Sequence, residues 1–334
     1  MEDYHRRDGT TLVAEFTDVE GGARNNRLQI QVALNRAKLS IATLVIAKLD
    51  RLSRNTAFLV TLRDGGQPMD EHDQSNEGLS EANSKSAPAL SSWVYGAGVA
   101  GIGAVNLALG TFDPMQPVPD AMPGRTALAY GASLLILLAG VGILWRRAAA
   151  WSAAVLTIYF ALVVALIENG PAIIAQYRVY GAYFGVAEGL ALAAGGLIIF
   201  SLSGAIEPVP AHRLKRVGQL TFGICALFFG GAHFIYPDIT KALVPTWLPP
   251  SQLFWAYATG LFHVAGGLAI LTGIRARVAA SLLTIMYAAF TPLVHVPLLL
   301  SDPTKHFYWT ENVLNVALAG VAWVVADSFR PLRT

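Results

Sequence analysis

Cysteine is almost absent: Cys225 is the one such residue in 334. That excludes a disulfide framework and any metal site built from several thiolates. Charge is the second scarcity, and it is uneven. Of the 24 basic and 22 acidic residues, 24 fall in 1–90 and the other 22 are spread over 91–334. An ordinary soluble chain is charged at roughly a quarter of its positions. The longer stretch falls far below that, so a single soluble globular domain is excluded and two unlike pieces are expected. No apolar core follows the charged segment Met1–Asp8, so no secretory signal is expected there. Gly-rich phosphate loops are missing as well. The Gly-x-x-x-x-Gly stretches in the apolar part have no Lys after them.

The polar piece, residues 1–65, reads as a small α/β fragment. Thr11–Phe16 alternates like a short strand. Leu28, Val32, Leu34 and Leu39 recur at helical spacing, and Ile41–Ile46 is a β-branched run of buried-strand length. Asn55–Leu62 is a candidate for a second helix.

Three segments within this piece form a dense local pattern. They are Glu15-Phe16-Thr17-Asp18-Val19-Glu20-Gly21-Gly22, then Asn26-Arg27, then Ala42 to Asn55 with its Leu49-Asp50-Arg51-Leu52-Ser53-Arg54-Asn55 ending. The pattern resembles the catalytic domain of serine recombinases of the resolvase/invertase type. The resemblance implies that Asp18, Arg27, Asp50, Arg51 and Arg54 surround a scissile phosphate. The chemistry is consistent, because planar, permanently charged guanidinium groups hold non-bridging phosphate oxygens well. The family's opening strand, Tyr-x-Arg-Val-Ser, supplies the attacking serine, and it is not found in these residues. Ser40 and Ser53 stand at other places. Apolar stretches begin where the family's long helix and helix-turn-helix would follow. The expectation is a recombinase remnant without strand exchange, whose DNA binding is at most weak, non-specific and salt-sensitive.

Residues 66–90 are rich in Gly, Ser, Asn, Asp and Glu without periodicity, a linker composition. Met69 inside it offers an alternative start for the part that follows. Eight apolar stretches of bilayer-crossing length come next: Ser92–Gly110, Thr126–Trp145, Ala149–Ile167, Val179–Leu202, Val217–Tyr236, Leu253–Gly273, Val278–Leu300 and Trp309–Ala326. The fold class expected is mainly α, a polytopic helical bundle behind a small α/β fragment. One set of connections carries Arg146, Arg147, Arg213, Lys215, Arg216, Arg275, Arg277, Arg330 and Arg333. The opposite set carries only Arg125, Arg178, Lys241 and Lys305. The positive-inside bias then puts both termini in the cytoplasm of a bacterium, with the bundle in the inner membrane.

Similarity recurs at an offset of about 127 residues. Val118-Pro119 answers to Val244-Pro245, Ala129-Tyr130 to Ala256-Tyr257, and Leu156-Thr157-Ile158 to Leu283-Thr284-Ile285. Residues 91–204 and 205–334 are therefore expected to be two four-span units in the same orientation. A four-span unit with a proline-bearing first outer loop and small residues in its second span resembles the DoxX-like membrane proteins. That resemblance implies a small bundle sometimes tied to quinone or sulfur redox chemistry.

Polar side chains within spans are costly and are candidates for function. At a common depth near the outer ends lie Asn106 and its offset mate His233, Glu168 and His295, Glu188 and Asn315, and Glu311. His263 sits mid-span. The expectation is one pocket opening outward beneath the two Val-Pro loops, with Glu168 and His295 facing across the bundle. Three readings compete. One is a small-molecule or quinone site in which His and Glu exchange protons. Another is a metal or haem site using His233, His263 and His295, without the tight spacing that marks strong sites. The third is hydrogen bonding between helices that merely holds the bundle together. Gly181, Gly185 and Gly189 read as packing positions, and Trp247, Trp255 and Trp309 as an interfacial aromatic belt.

Overall fold

A computed structural model describes residues 89–330 except 115. The expected α/β fragment, with Asp18, Arg27, Asp50, Arg51 and Arg54, and the linker up to residue 88 lie outside the described residues. Eight helices long and apolar enough to cross a membrane follow one another. They are α1 (Leu90–Leu109), α2 (Arg125–Leu144), α3 (Arg146–Ala175), α4 (Tyr180–Leu202), α5 (Pro208–Ile235), α6 (Gln252–Thr272), α7 (Ala276–Ser301) and α8 (His306–Ser328). All eight expected spans are present.

Their ends follow local chemistry. Gly110 closes α1 at φ 64°, a left-handed conformation that glycine adopts without strain, and its amide donates to the Asn106 carbonyl at 2.9 Å. Ser251 caps α6 by accepting from the Phe254 amide at 3.2 Å. α5 starts nine residues before the apolar run at Val217. Pro208 suits the first turn, where the missing amide hydrogen costs nothing, and the polar turns carrying Arg213, Lys215 and Arg216 continue the helix. Arg216 reaches across to the end of α6, donating to the Leu271 carbonyl at 2.7 Å and the Ile270 carbonyl at 3.4 Å. A cation there satisfies orphan carbonyls and complements the negative end of the helix dipole.

The helices close into a ring in chain order, each packing on the next, with α8 returning to α1. α4 and α8 also meet across the middle. Advancing every helix by four places leaves this pattern of neighbours unchanged. Of the α4 and α8 residues in their most apolar windows, 61% and 67% are buried, against 22–44% for the other six. Their sequences show why: both are dense in Ala and Gly, which let backbones approach where lipid provides no hydrophobic drive between helices. Gly320 of α8 lies against the backbone of Tyr95, and Gly98 of α1 against that of Ala317. A methyl group at either position would overlap main chain. Tyr95 then ties α1 to α4 through its hydroxyl, which donates to the Leu192 carbonyl at 2.9 Å.

Positions 127 apart are buried alike. Ala129 and Ala256, Ile143 and Ile270, Ala153 and Ala280, and Ile198 and Val325 are all fully enclosed. Thr157 and Thr284 each donate to the carbonyl four residues earlier. The outward faces are apolar. Trp151, Ile174 and Leu300 are among many large hydrophobic side chains left exposed, as a bundle surrounded by lipid requires.

Candidate functional site

Polar side chains converge at the end of the bundle that carries the α1–α2, α3–α4, α5–α6 and α7–α8 connections. Asn106, on the last turn of α1, is 3% exposed, and its Oδ1 lies 2.9 Å from Nε2 of His306, the first residue of α8. An amide oxygen only accepts, so the imidazole carries its proton on Nε2. The α1–α2 connection folds inward. The Asp113 amide donates to Gln116 Oε1 at 3.2 Å, and Gln116 Nε2 donates to Glu168 Oε2 at 3.0 Å. Asp113 is within Coulombic range of Glu168, Glu188, Glu311 and His306, and Glu188 of α4 is within the same range of Glu311 of α8. Tyr159 stands beside Glu168 and Gln116.

Four carboxyl groups, two amides and one imidazole thus share one region, contributed by α1, α3, α4, α8 and the first connection. Part of it encloses a cavity of about 50 Å³, lined on its polar side by Asn106, Asp113, Gln116, Asn169 and Glu188 and on its apolar side by Ile102, Ile136 and Phe160. That volume holds a few waters; a whole aromatic ring needs the first connection to shift.

The backbone around this region departs from the α-helix. The Asn169 amide bonds the Val164 carbonyl five residues back, at 3.1 Å, and the Asn169 side chain donates to the same carbonyl at 2.9 Å. In α7 the Val296 amide bonds the Thr291 carbonyl, again five back. Both π-type turns stand 127 residues apart and end on Glu168 and His295. Pro292 accounts for the second, since it has no amide hydrogen and its ring displaces the preceding turn. Such turns swing one side chain out of the ordinary helical register.

The second half of the bundle holds a different set. His233 of α5 and His263 of α6 stack with ring centroids 5.4 Å apart at 29°. The Thr259 hydroxyl lies 3.2 Å from His233 Nδ1, and His263 Nδ1 bonds the Thr259 carbonyl at 2.9 Å, which requires the proton on that nitrogen. Tyr287 and Phe229 meet the His263 ring edge-on at 5.4 and 6.3 Å. Asn315 of α8 spends Nδ2 on the Tyr287 carbonyl at 2.7 Å and the Thr291 hydroxyl at 2.8 Å, stapling α8 to the π-type turn of α7.

The expected single pocket is therefore two regions. Asn106, Glu168, Glu188 and Glu311 come together in the first; His233 and His263 form the second, with Asn315 bound to α7 nearby. Glu168 and His295 do not face each other. They lie on α3 and α7, which do not touch, because the α4–α8 pair fills the middle. The Val-Pro segments do not roof the acidic region either. Asp113 and Gln116 do, held by a first connection in which Arg125 donates to the Thr111 hydroxyl at 3.0 Å and lies over the Phe112 ring. Among the described residues no three His, Cys, Asp or Glu side chains are arranged to hold a metal ion. At the same end of the bundle, Asp302 accepts from the hydroxyl and amide of Thr304, which holds its carboxyl below the usual carboxylate range.

Asp113, Gln116, Asn169 and His306 carry no sequence signal of their own. His306 falls just before the apolar run at Trp309, and the other three sit in connections. The repeat offset hides His306 too, since its mate is Val179.

Residues 1–67 match the family model described as the resolvase N-terminal domain. Residues 222–326 match a domain of unknown function, DUF8561. That match runs from within α5 to within α8. No curated protein and no solved structure matches the chain.

Proposed function

We propose that the described part is a DoxX-like inner-membrane protein made of two four-span units, 91–204 and 205–334, that binds a small polar molecule at its acid-rich region and exchanges protons with it. Three features support the two-unit reading: the neighbour pattern that repeats every four helices, the paired π-type turns, and the family match confined to α5–α8. The binding reading rests on one observation: Asp113, Glu168, Glu188 and Glu311 converge with Asn106, Gln116 and His306 beside a cavity. Carboxyl and imidazole groups in a water-poor site can give and take protons that a bound molecule needs. A quinone headgroup is the ligand class that the DoxX-like resemblance favours, docking with the first connection displaced.

Orientation follows from the basic residues at the opposite end, which place both termini in the cytoplasm and the acid-rich region on the outer side. In residues 1–67 the arginine set stands without the family's attacking serine, so the 334-residue chain is proposed to bind DNA weakly and exchange no strands. A purely structural role has one observation in its favour. Asn315 uses both amide hydrogens between helices, as packing alone would require.

The test is equilibrium binding of a water-soluble short-chain quinone to the purified chain in nanodiscs. Glu188→Gln keeps the shape of the side chain and removes the exchangeable proton. Binding should weaken about tenfold, the equivalent of roughly 1.4 kcal/mol. Undiminished binding, or none by the wild-type chain, rejects the quinone reading.

A further inference from the structure

A second recess lies apart from the acid-rich region, where the α3–α4 connection meets the end of α5. Its volume is about 510 Å³, within the range of small-molecule sites. Tyr177, Arg178, Tyr180, Tyr183 and Tyr236 line it, with Val179 and Ile235 at its edge. Arg178 is the single charged residue in that lining. Its guanidinium stacks over the Tyr177 ring at 5.4 Å, and among the described residues it has no carboxylate partner. The nearest acid in sequence to Tyr236, Asp238, is held by Lys241 at 2.6 Å.

Hydrogen bonds fix the aromatic walls. The Tyr180 hydroxyl donates to the Phe228 carbonyl at 2.8 Å, and the Tyr183 hydroxyl donates to the Tyr177 carbonyl at 3.0 Å. The Gly181 amide donates to the Tyr236 hydroxyl at 3.1 Å, which leaves that hydroxyl's own hydrogen free to donate. The recess therefore offers donors and a positive charge and no carboxylate. It stands at the level where the membrane-crossing helices end. Val179, Ile235, Ile174 and Ile239 are exposed around it, an apolar surface suited to acyl chains. Nor is it a general feature of the bundle: 127 residues on, Tyr177, Arg178, Tyr180 and Tyr183 become Thr304, Lys305, Phe307 and Thr310.

We propose that this recess is a binding site for the phosphate-bearing headgroup of an anionic phospholipid. Arg178 takes the phosphate, and its planar fork can donate two parallel hydrogen bonds. The Tyr236 hydroxyl donates to the same headgroup, and the tyrosines hold the interfacial level that aromatic rings with a polar tip prefer. The acyl chains lie over Val179 and Ile235.

The full chain, purified in detergent, should retain phosphatidylglycerol over phosphatidylcholine when both are offered at equal concentration and bound lipid is counted by native mass spectrometry. Arg178→Gln should weaken phosphatidylglycerol binding about fivefold, the worth of one interfacial cation. Arg178→Lys should restore part of it, and Lys241→Gln should leave it unchanged. A thermal scan of each variant shows that the fold is intact. Equal retention of the two lipids, or the same retention by Arg178→Gln, overturns the proposal. Stabilisation by glycerol 3-phosphate equal to that by phosphatidylglycerol overturns the lipid assignment in favour of a soluble phosphate.

Discussion

His306 Nε2 lies 2.9 Å from Asn106 Oδ1, joining the last helix of the bundle to the first across 200 residues. The bond closes the ring of helices at the same end where the carboxyl groups gather. It also fixes the imidazole's free nitrogen as an acceptor beside Asp113 and the cavity.

Asn106→Ala and His306→Ala should each lower the thermal midpoint in detergent. Each leaves a partner with an unmet hydrogen bond, at a cost of about 1–3 kcal/mol. Their combination should fall short of the sum by more than the roughly 0.5 kcal/mol scatter of independent sites. Glu168→Gln and His295→Gln, on helices that do not touch, should add. Additivity in the first pair, or coupling in the second, would contradict the packing order around α4 and α8.

Glu188 and Glu311 face each other from the two central helices. Their repulsion exists only when both are ionised, so it grows as pH rises. The thermal midpoint of the wild-type chain should therefore fall, relative to Glu188→Gln, on going from mildly acid to mildly alkaline buffer. A midpoint difference that stays constant across that range would show that the two groups do not interact.

Close approach of α1 to α8 depends on Gly98. A methyl group there meets the Ala317 backbone, so Gly98→Ala should destabilise by about 1–3 kcal/mol. At Gly131, with nothing within 4 Å, the same change should stabilise by up to about 1 kcal/mol through helix propensity alone. Opposite signs in a chemical or thermal denaturation series are the expected result.

The proposed orientation is open to labelling. With Cys225 replaced, single cysteines at Thr111 and Ser251 should react with a membrane-impermeant maleimide in intact cells, and one at Arg147 only after permeabilisation. The reverse pattern would invert the topology.

The helices were legible because a span needs roughly 20 apolar residues, and no soluble pattern imitates eight in succession. Ala256 and Ile270 were placed in the core by their agreement with Ala129 and Ile143, since equal burial keeps equal residues. The site was legible only where a polar residue interrupted an apolar run, as Asn106, Glu188 and Glu311 do. Asp113 and Gln116 sit in a polar connection, where their composition says nothing about facing inward. The pairing of Glu168 with His295 failed for a geometric reason. A two-fold relation makes them equivalent without making them neighbours, and the volume of α4 and α8 separates them.

The central claim is that a small molecule enters the acid-rich region. Its most direct test is photo-crosslinking with an azido-quinone on the full chain in nanodiscs, followed by peptide mapping. Crosslinks on the peptides carrying Asn106, Asp113 and Glu188, displaced by excess unlabelled quinone, are the predicted result. Crosslinks confined to the lipid-facing surfaces around Trp151 or Leu300, or not displaced by the competitor, would contradict it.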